Sequence, residues 1–148
     1  MVDGMMRRLL KYRTGPYSLA AALALAVYWR TLAPSVTLED SGSFIAAAHT
    51  LGVAHPPGYP LWCLLAHGFT WLPLGTVAWR VNLFSAVCAA AAAWMLYLAA
   101  WRLTRSRPAA VTALLALAFS GIFWSQALIA EVYTLNALLC GCALYCAV

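Results

Sequence analysis

The side chains able to do acid–base chemistry are scarce and lie close together in the sequence. The chain has only four acidic residues and three histidines, and Glu39, Asp40, His49 and His55 all fall in the stretch from TLEDSG to HPPGYP. A carboxylate beside a histidine–proline turn can act as a general base, taking a proton from a hydroxyl group while a phosphate leaves a sugar carbon. The same pattern also fits a solvated loop in which Asp40 or Ser41 caps a helix.

Three further features bear on a possible site. Glu131, in QALIAEVYTLN, is a second candidate acid, or else an interfacial residue at a turn between two membrane spans. Arg30 and Arg80 are candidates for neutralising a lipid phosphate. His49 and His55 flank a glycine turn without the spacing of metal ligands. The sequence therefore predicts no metal site and no cofactor, and leaves a divalent cation open.

The composition is that of a membrane protein. Hydrophobic residues make up 65% of the chain, charged residues 9%, and the mean hydropathy is +0.82, whereas soluble domains are roughly 45–50% apolar. A backbone exposed to lipid must satisfy its own hydrogen bonds, which predicts an all-α, polytopic fold. The net charge of +5 comes from cations clustered at predicted helix ends. Membrane orientation explains this clustering better than nucleic-acid binding does.

The basic segments 1–15 and 102–107 orient the predicted helices, because both should face the cytoplasm. If 61–74 crossed the membrane, 102–107 would face outside, so we expect 61–74 to lie at the membrane surface. A signal peptide in place of the first span would need a better cleavage site than Tyr28-Trp29-Arg30. The predicted spans are about 16–35, 81–101, 109–129 and 132–148, and the predicted interfacial helices are about 41–52 and 61–74.

This topology brings the candidate acids and histidines to one side of the membrane. We expect a multi-pass protein of the plasma (inner) membrane, with a cytoplasmic N-terminus and an active face on the extracytoplasmic side. The last span, 132–148, would reach only about 26 Å at about 1.5 Å per residue, less than the roughly 30 Å hydrocarbon core. The chain is therefore expected to be the N-terminal part of a longer protein, and by itself to show little or no activity.

The order of several motifs resembles a known family. TLEDSG, HPPGYPLW, RVNLFSA and FWSQALIAEVYTLNAL follow one another along the chain, as they do in the protein O-mannosyltransferase-like family of membrane glycosyltransferases. The resemblance covers most of the chain, from about Leu32 onwards. It implies the N-terminal portion of a class C glycosyltransferase fold, with interfacial helices in the first outer loop.

The resemblance also implies a reaction: inverting transfer of a sugar from a polyprenyl-phosphate carrier to a hydroxyl of a protein or glycan acceptor, at the surface of the lipid membrane. Asp40 matches the catalytic base of the family, and Glu131 matches a second acidic position in the next outer loop. The turn that starts at His55 matches the turn after the base. The chain departs from the family at Glu39, where a glycine is common, and at Ser43, where a second acid is common.

Two functions from different classes follow. For a glycosyltransferase, the candidate catalytic residues are Asp40, Glu39 and Glu131, and the candidate substrate-binding residues are His55, Arg80 and His49. The alternative is a non-enzymatic membrane subunit or a transporter fragment. Charged residues inside the spans would favour a transport path, and the predicted spans contain almost none.

Overall fold

The computed structural model describes residues 19–37 and 40–148, and over these residues the protein is helical without strands. This confirms the all-α prediction. Seven helices follow one another along the described chain. They are α1 (described from Leu19 to Thr31), α2 (Ser41–Thr50), α3 (Pro60–Thr70), α4 (Val77–Thr104), α5 (Arg107–Ala118), α6 (Gly121–Ala127) and α7 (Tyr133–Ala147).

Helix α4 is the centre of the fold. It begins at Thr76, whose hydroxyl accepts a hydrogen bond from the Trp79 amide, and it ends at Arg105 in the left-handed conformation (φ 54°). Helices α5 and α7 pack along it, and α2, α3 and α6 contact it. Small residues make this close approach possible. Ala86, Ala89 and Ala93 are fully buried against the neighbouring helices.

Helix α4 has 28 residues and, among the described helices, is the one long and apolar enough to cross a bilayer unaided. The segment predicted as a single span at 109–129 is divided into α5 and α6, whose axes differ by 64°. The break comes at Ser120, whose hydroxyl accepts a hydrogen bond from Phe123 N and so starts a new helix. Counted as one bent span, this pair would be a second crossing.

The short helices α2 and α3 pack against each other and against the first part of α4. Between them lies an aromatic cluster that we define as Phe44, His55, Tyr59 and Trp62. His67 on α3 donates from Nδ1 to the Ala48 carbonyl at 2.7 Å and so joins α3 to the end of α2. This layer carries the candidate site. Its position relative to a membrane stays a prediction.

Candidate functional site

Asp40 occupies the N-cap position of α2, but its carboxylate does not cap the helix. The prediction that Asp40 or Ser41 caps α2 through its side chain is therefore wrong for Asp40. The Asp40 carbonyl accepts hydrogen bonds from the Ser43 and Phe44 amides, at 3.0 and 3.1 Å. The Asp40 side chain is 65% exposed. The Ser41 hydroxyl instead donates to the Thr37 carbonyl at 2.9 Å. A carboxylate left out of the cap is available for chemistry.

The structure brings His55 to Asp40. His55 Nε2 lies 3.6 Å from Asp40 Oδ2, and His55 Nδ1 lies 3.3 Å from Ser43 Oγ. The imidazole also packs edge-on against Phe44 and Tyr59, with ring centroids 5.0 and 5.7 Å apart. The Ser43 contact and the two aromatic neighbours hold the ring, so the imidazole has a defined orientation beside the carboxylate.

The turn from His55 to Tyr59 presents this imidazole. Gly58 N donates to the His55 carbonyl at 2.9 Å, which closes the turn. The Pro56–Pro57 peptide bond is cis, Gly58 has φ +90° and Tyr59 has φ 43°. Glycine suits the first of these left-handed positions because it has no Cβ. Helix α3 starts immediately afterwards, with Pro60 in its first turn.

The loop before Asp40 is attached to α4 by Asn82. Asn82 is fully buried, and its Nδ2 donates to the Ala33 and Ser35 carbonyls at 3.0 and 3.2 Å. Its Oδ1 is buried without a hydrogen-bond partner. The Thr76 hydroxyl donates a hydrogen bond to the Pro34 carbonyl of the same loop, at 3.3 Å. Sequence reasoning missed Asn82; the signal that points to it is an amide inside an otherwise apolar predicted span.

Glu131 lies in the break between α6 and α7 and is 5% exposed. Its carbonyl accepts from Trp62 Nε1 at 3.1 Å, and its amide and carbonyl both lie 3.4 Å from Ser85 Oγ. Trp62 in turn packs on Phe44, with centroids 4.9 Å apart. Glu131 is therefore tied through its backbone to the same aromatic cluster that holds His55. Sequence reasoning did not identify Trp62 as this link.

Of the other three sequence candidates, the two that the structure describes, Arg80 and His49, do not join Asp40. Arg80 donates to the carbonyls of Thr70 at 2.7 Å, Gly75 at 3.0 Å and Leu74, and so binds the end of α3. His49 is exposed in the last turn of α2, about 13 Å from Asp40 along the helix axis at about 1.5 Å per residue. Glu39 lies outside the described residues. Within 19–37 and 40–148, no cluster of three or more His, Cys, Asp or Glu side chains forms.

An apolar groove of about 380 Å³ opens next to the aromatic cluster, between the start of α3 and the start of α7. Tyr59 and Trp62 form one wall, and Val132, Leu135 and Leu139 form the other. Tyr59 also contacts His55. The groove is therefore one residue away from the imidazole that faces Asp40.

Comparisons with known proteins point to one family. The model of the protein O-mannosyl-transferase TMEM260 N-terminal domain matches residues 40–148. Protein O-mannosyl-transferase TMEM260 of Mus musculus is 44% identical over 128 residues, which cover 86% of this chain and 18% of that protein. The tmem260 protein O-mannosyl-transferase of Dictyostelium discoideum is 33% identical over 113 residues, covering 74% and 14% respectively. The chain thus spans less than a fifth of the length of these relatives. No solved structure matches significantly.

Proposed function

The chain belongs to the TMEM260 N-terminal domain family of protein O-mannosyl-transferases, as its motif order predicted, and from this membership we propose that it carries the general base of a membrane glycosyltransferase. The proposed reaction transfers a sugar, from a donor carried on a polyprenyl phosphate, to a hydroxyl group of a protein or glycan acceptor. The names of the relatives support mannose as the sugar and a protein as the acceptor.

In the proposed mechanism, Asp40 takes the proton of the acceptor hydroxyl. The hydroxyl oxygen then attacks the anomeric carbon while the lipid phosphate leaves from the opposite face, which inverts the configuration. The observation that supports this role is the state of the Asp40 side chain. It is largely exposed, makes no capping bond to its own helix and has an oriented imidazole 3.6 Å away. A base needs such access to the proton it removes.

The apolar groove beside Tyr59 supports a lipid-linked donor. Its walls are almost entirely apolar, and it begins at the residue that contacts His55. An isoprenoid chain in this groove would place its phosphate at the end of the groove beside Tyr59, the residue that packs on His55. Burial of apolar area at about 25 cal/mol per Å² would then contribute to donor affinity.

The remaining candidates receive different roles within this proposal. Glu131, buried behind the aromatic cluster, acts as a second acid that orients substrate or base. Glu39 stays a candidate acid directly before Asp40 in the sequence. Arg80 is given a structural role, because its guanidinium donates hydrogen bonds to three carbonyls. His49 stays a candidate contact for substrate at the far end of α2.

In this proposal the protein has a class C fold, crosses the plasma membrane several times and has a cytoplasmic N-terminus. The apolar residues exposed on one side of α3, Leu61, Leu64 and Leu65, support a position in which this helix lies against lipid on the extracytoplasmic side. The arginines at 102–107 then mark the cytoplasmic side.

The test replaces Asp40 by Asn in the intact protein and measures sugar transfer in isolated membranes from a polyprenyl-phosphate mannose donor. We expect transfer to fall by about 100-fold or more, since general-base catalysis contributes roughly 10²–10⁴-fold. Asp3→Asn is the matched control, because it makes the same change of charge close to the start of the sequence. Transfer by D40N at the rate of the D3N control would remove Asp40 from the mechanism.

A further inference from the structure

We propose that His55 is a positioning residue that acts through Asp40: its imidazole receives the proton that the Asp40 carboxylate takes from the acceptor. This inference rests on the proposed function of Asp40. It assigns His55 a role behind the base, where the sequence predicted a contact with substrate.

The first argument is the placement of the two ring nitrogens. Nε2 faces Asp40 Oδ2 at 3.6 Å, and Nδ1 faces Ser43 Oγ at 3.3 Å. Asp40 and Ser43 both belong to the start of α2, so one imidazole bridges two points of the same helical turn. Phe44 and Tyr59 pack against the ring. A side chain held in this way cannot turn away from the carboxylate without breaking several contacts at once.

The second argument is the direction of the hydrogen bonds. The Ser43 hydroxyl lies 3.0 Å from the Asp40 carbonyl and donates to it, because a carbonyl only accepts. The Ser43 oxygen then accepts from His55, which places a proton on Nδ1. In a neutral imidazole with Nδ1–H, the other nitrogen carries a lone pair. That lone pair points at Asp40 and is ready to accept a proton.

The proton balance follows from this arrangement. The acceptor hydroxyl gives its proton to the Asp40 carboxylate as its oxygen bonds to the sugar, and the phosphate leaves with the bonding electrons. Asp40 Oδ2 then passes the proton to His55 Nε2, which forms an imidazolium paired with the restored carboxylate. The His55 side chain is 36% exposed, so water can remove the proton. The separation of 3.6 Å must shorten for this step, as catalytic hydrogen bonds often do when substrate binds.

The surroundings of His55 leave Asp40 as its charged partner among the described contacts. From α2, the ring meets Asp40, Ser43 and Phe44; from its own turn, it meets Tyr59. Tyr59 contacts the imidazole of His55 through its aromatic ring. Among the described residues, Asp40 is therefore the carboxylate from which the proton arrives.

The experiment compares His55→Ala and His55→Gln in the intact protein, with mannosyl transfer measured in membranes over a range of donor concentrations. We expect both variants to lower kcat by about 10–100-fold, with a donor KM within about twofold of the wild type. Added imidazole should restore much of the H55A rate, because the missing ring leaves an accessible space beside Asp40. It should not restore H55Q, whose side chain fills that space and whose amide accepts no proton.

A second pair of variants tests the role of Ser43. Ser43→Ala removes the group that holds Nδ1, and we expect kcat to fall by about threefold to tenfold. Ser125→Ala is the matched control, because the Ser125 hydroxyl also donates to a carbonyl three residues earlier, that of Ile122 at 2.8 Å. In the described structure no histidine is bonded to Ser125. We expect S125A to transfer sugar at the wild-type rate.

Two results would overturn the inference. One is an H55Q variant with kcat within twofold of the wild type. The other is an H55A variant with a raised donor KM, an unchanged kcat and no response to imidazole, which would make His55 a substrate contact. The D40N variant separates these failures from failure of the proposed function. If D40N is inactive while H55Q is active, only the role of His55 is wrong; if D40N is active, the proposed function itself is wrong.

Discussion

Replacement of Asn82 should destabilise the protein and also displace the base. The Asn82 amide holds the carbonyls of Ala33 and Ser35, which belong to the loop that leads to Asp40. Asn82→Ala removes both donors from a fully buried position. The nearly isosteric Asn82→Asp keeps the size of the side chain but replaces the NH2 group, with its two N–H donors, by one acceptor oxygen.

The size of the effect follows from the contacts. Each lost hydrogen bond costs about 1 kcal/mol, and a carbonyl left buried without a donor costs about 1–3 kcal/mol. Ala33 is half-buried and Ser35 is exposed, so the second cost applies to the Ala33 carbonyl. Asn82 Oδ1 is itself buried without a partner, so its removal offsets part of that cost. We expect the free energy of unfolding to fall by about 2–4 kcal/mol for N82A. N82D should lose at least as much, because its oxygens face two carbonyls.

The assay has two parts. Thermal unfolding of the purified protein in detergent measures stability, with Asn136→Ala as control because Asn136 is exposed on α7. Sugar transfer per folded molecule measures the position of Asp40. We expect at least a tenfold decrease for N82A, since a displacement of about 1 Å at a reacting group costs roughly 10²-fold. If N82D unfolds at the wild-type temperature and transfers sugar at the wild-type rate, the two hydrogen bonds do not hold the loop.

Two further variants test the turns around the site. Arg80→Lys should lower the free energy of unfolding by about 1–2 kcal/mol, because an ammonium group cannot reach all three carbonyls at the end of α3; a higher donor KM with unchanged thermal stability would instead support a phosphate contact. Gly58→Ala should cost about 1–2 kcal/mol in the same unfolding assay, because Gly58 has φ +90° and an added Cβ would lie 3.2 Å from Val53 Cγ1. Gly68→Ala is the control, because Gly68 lies within α3 with open space around it. We expect its free energy of unfolding to rise or stay level. Equal free energies of unfolding for G58A and G68A would contradict the turn argument.

The sequence by itself determined the class of the protein and its family. An apolar composition and helical periodicity are local properties, readable without knowing which helices meet, and they correctly predicted an all-α chain. The order of TLEDSG, HPPGYPLW and the later motifs correctly predicted the O-mannosyl-transferase family. These motifs also identified Asp40, whose carboxylate makes no capping hydrogen bond and is largely exposed in the structure.

Only the tertiary structure decided which polar groups meet. His49 and His55 are both near Asp40 in sequence, but the chain reverses after α2, where Leu51 is in the left-handed conformation, and returns His55 to the carboxylate. Helix α2 itself carries His49 away from it. Arg80, a predicted phosphate contact, donates to carbonyls at the end of α3, and its contact with phosphate stays a prediction. Asn82 binds the loop 47 to 49 positions earlier in the chain. Such contacts depend on how distant segments pack and on where an oriented donor finds an acceptor, and no local pattern encodes either.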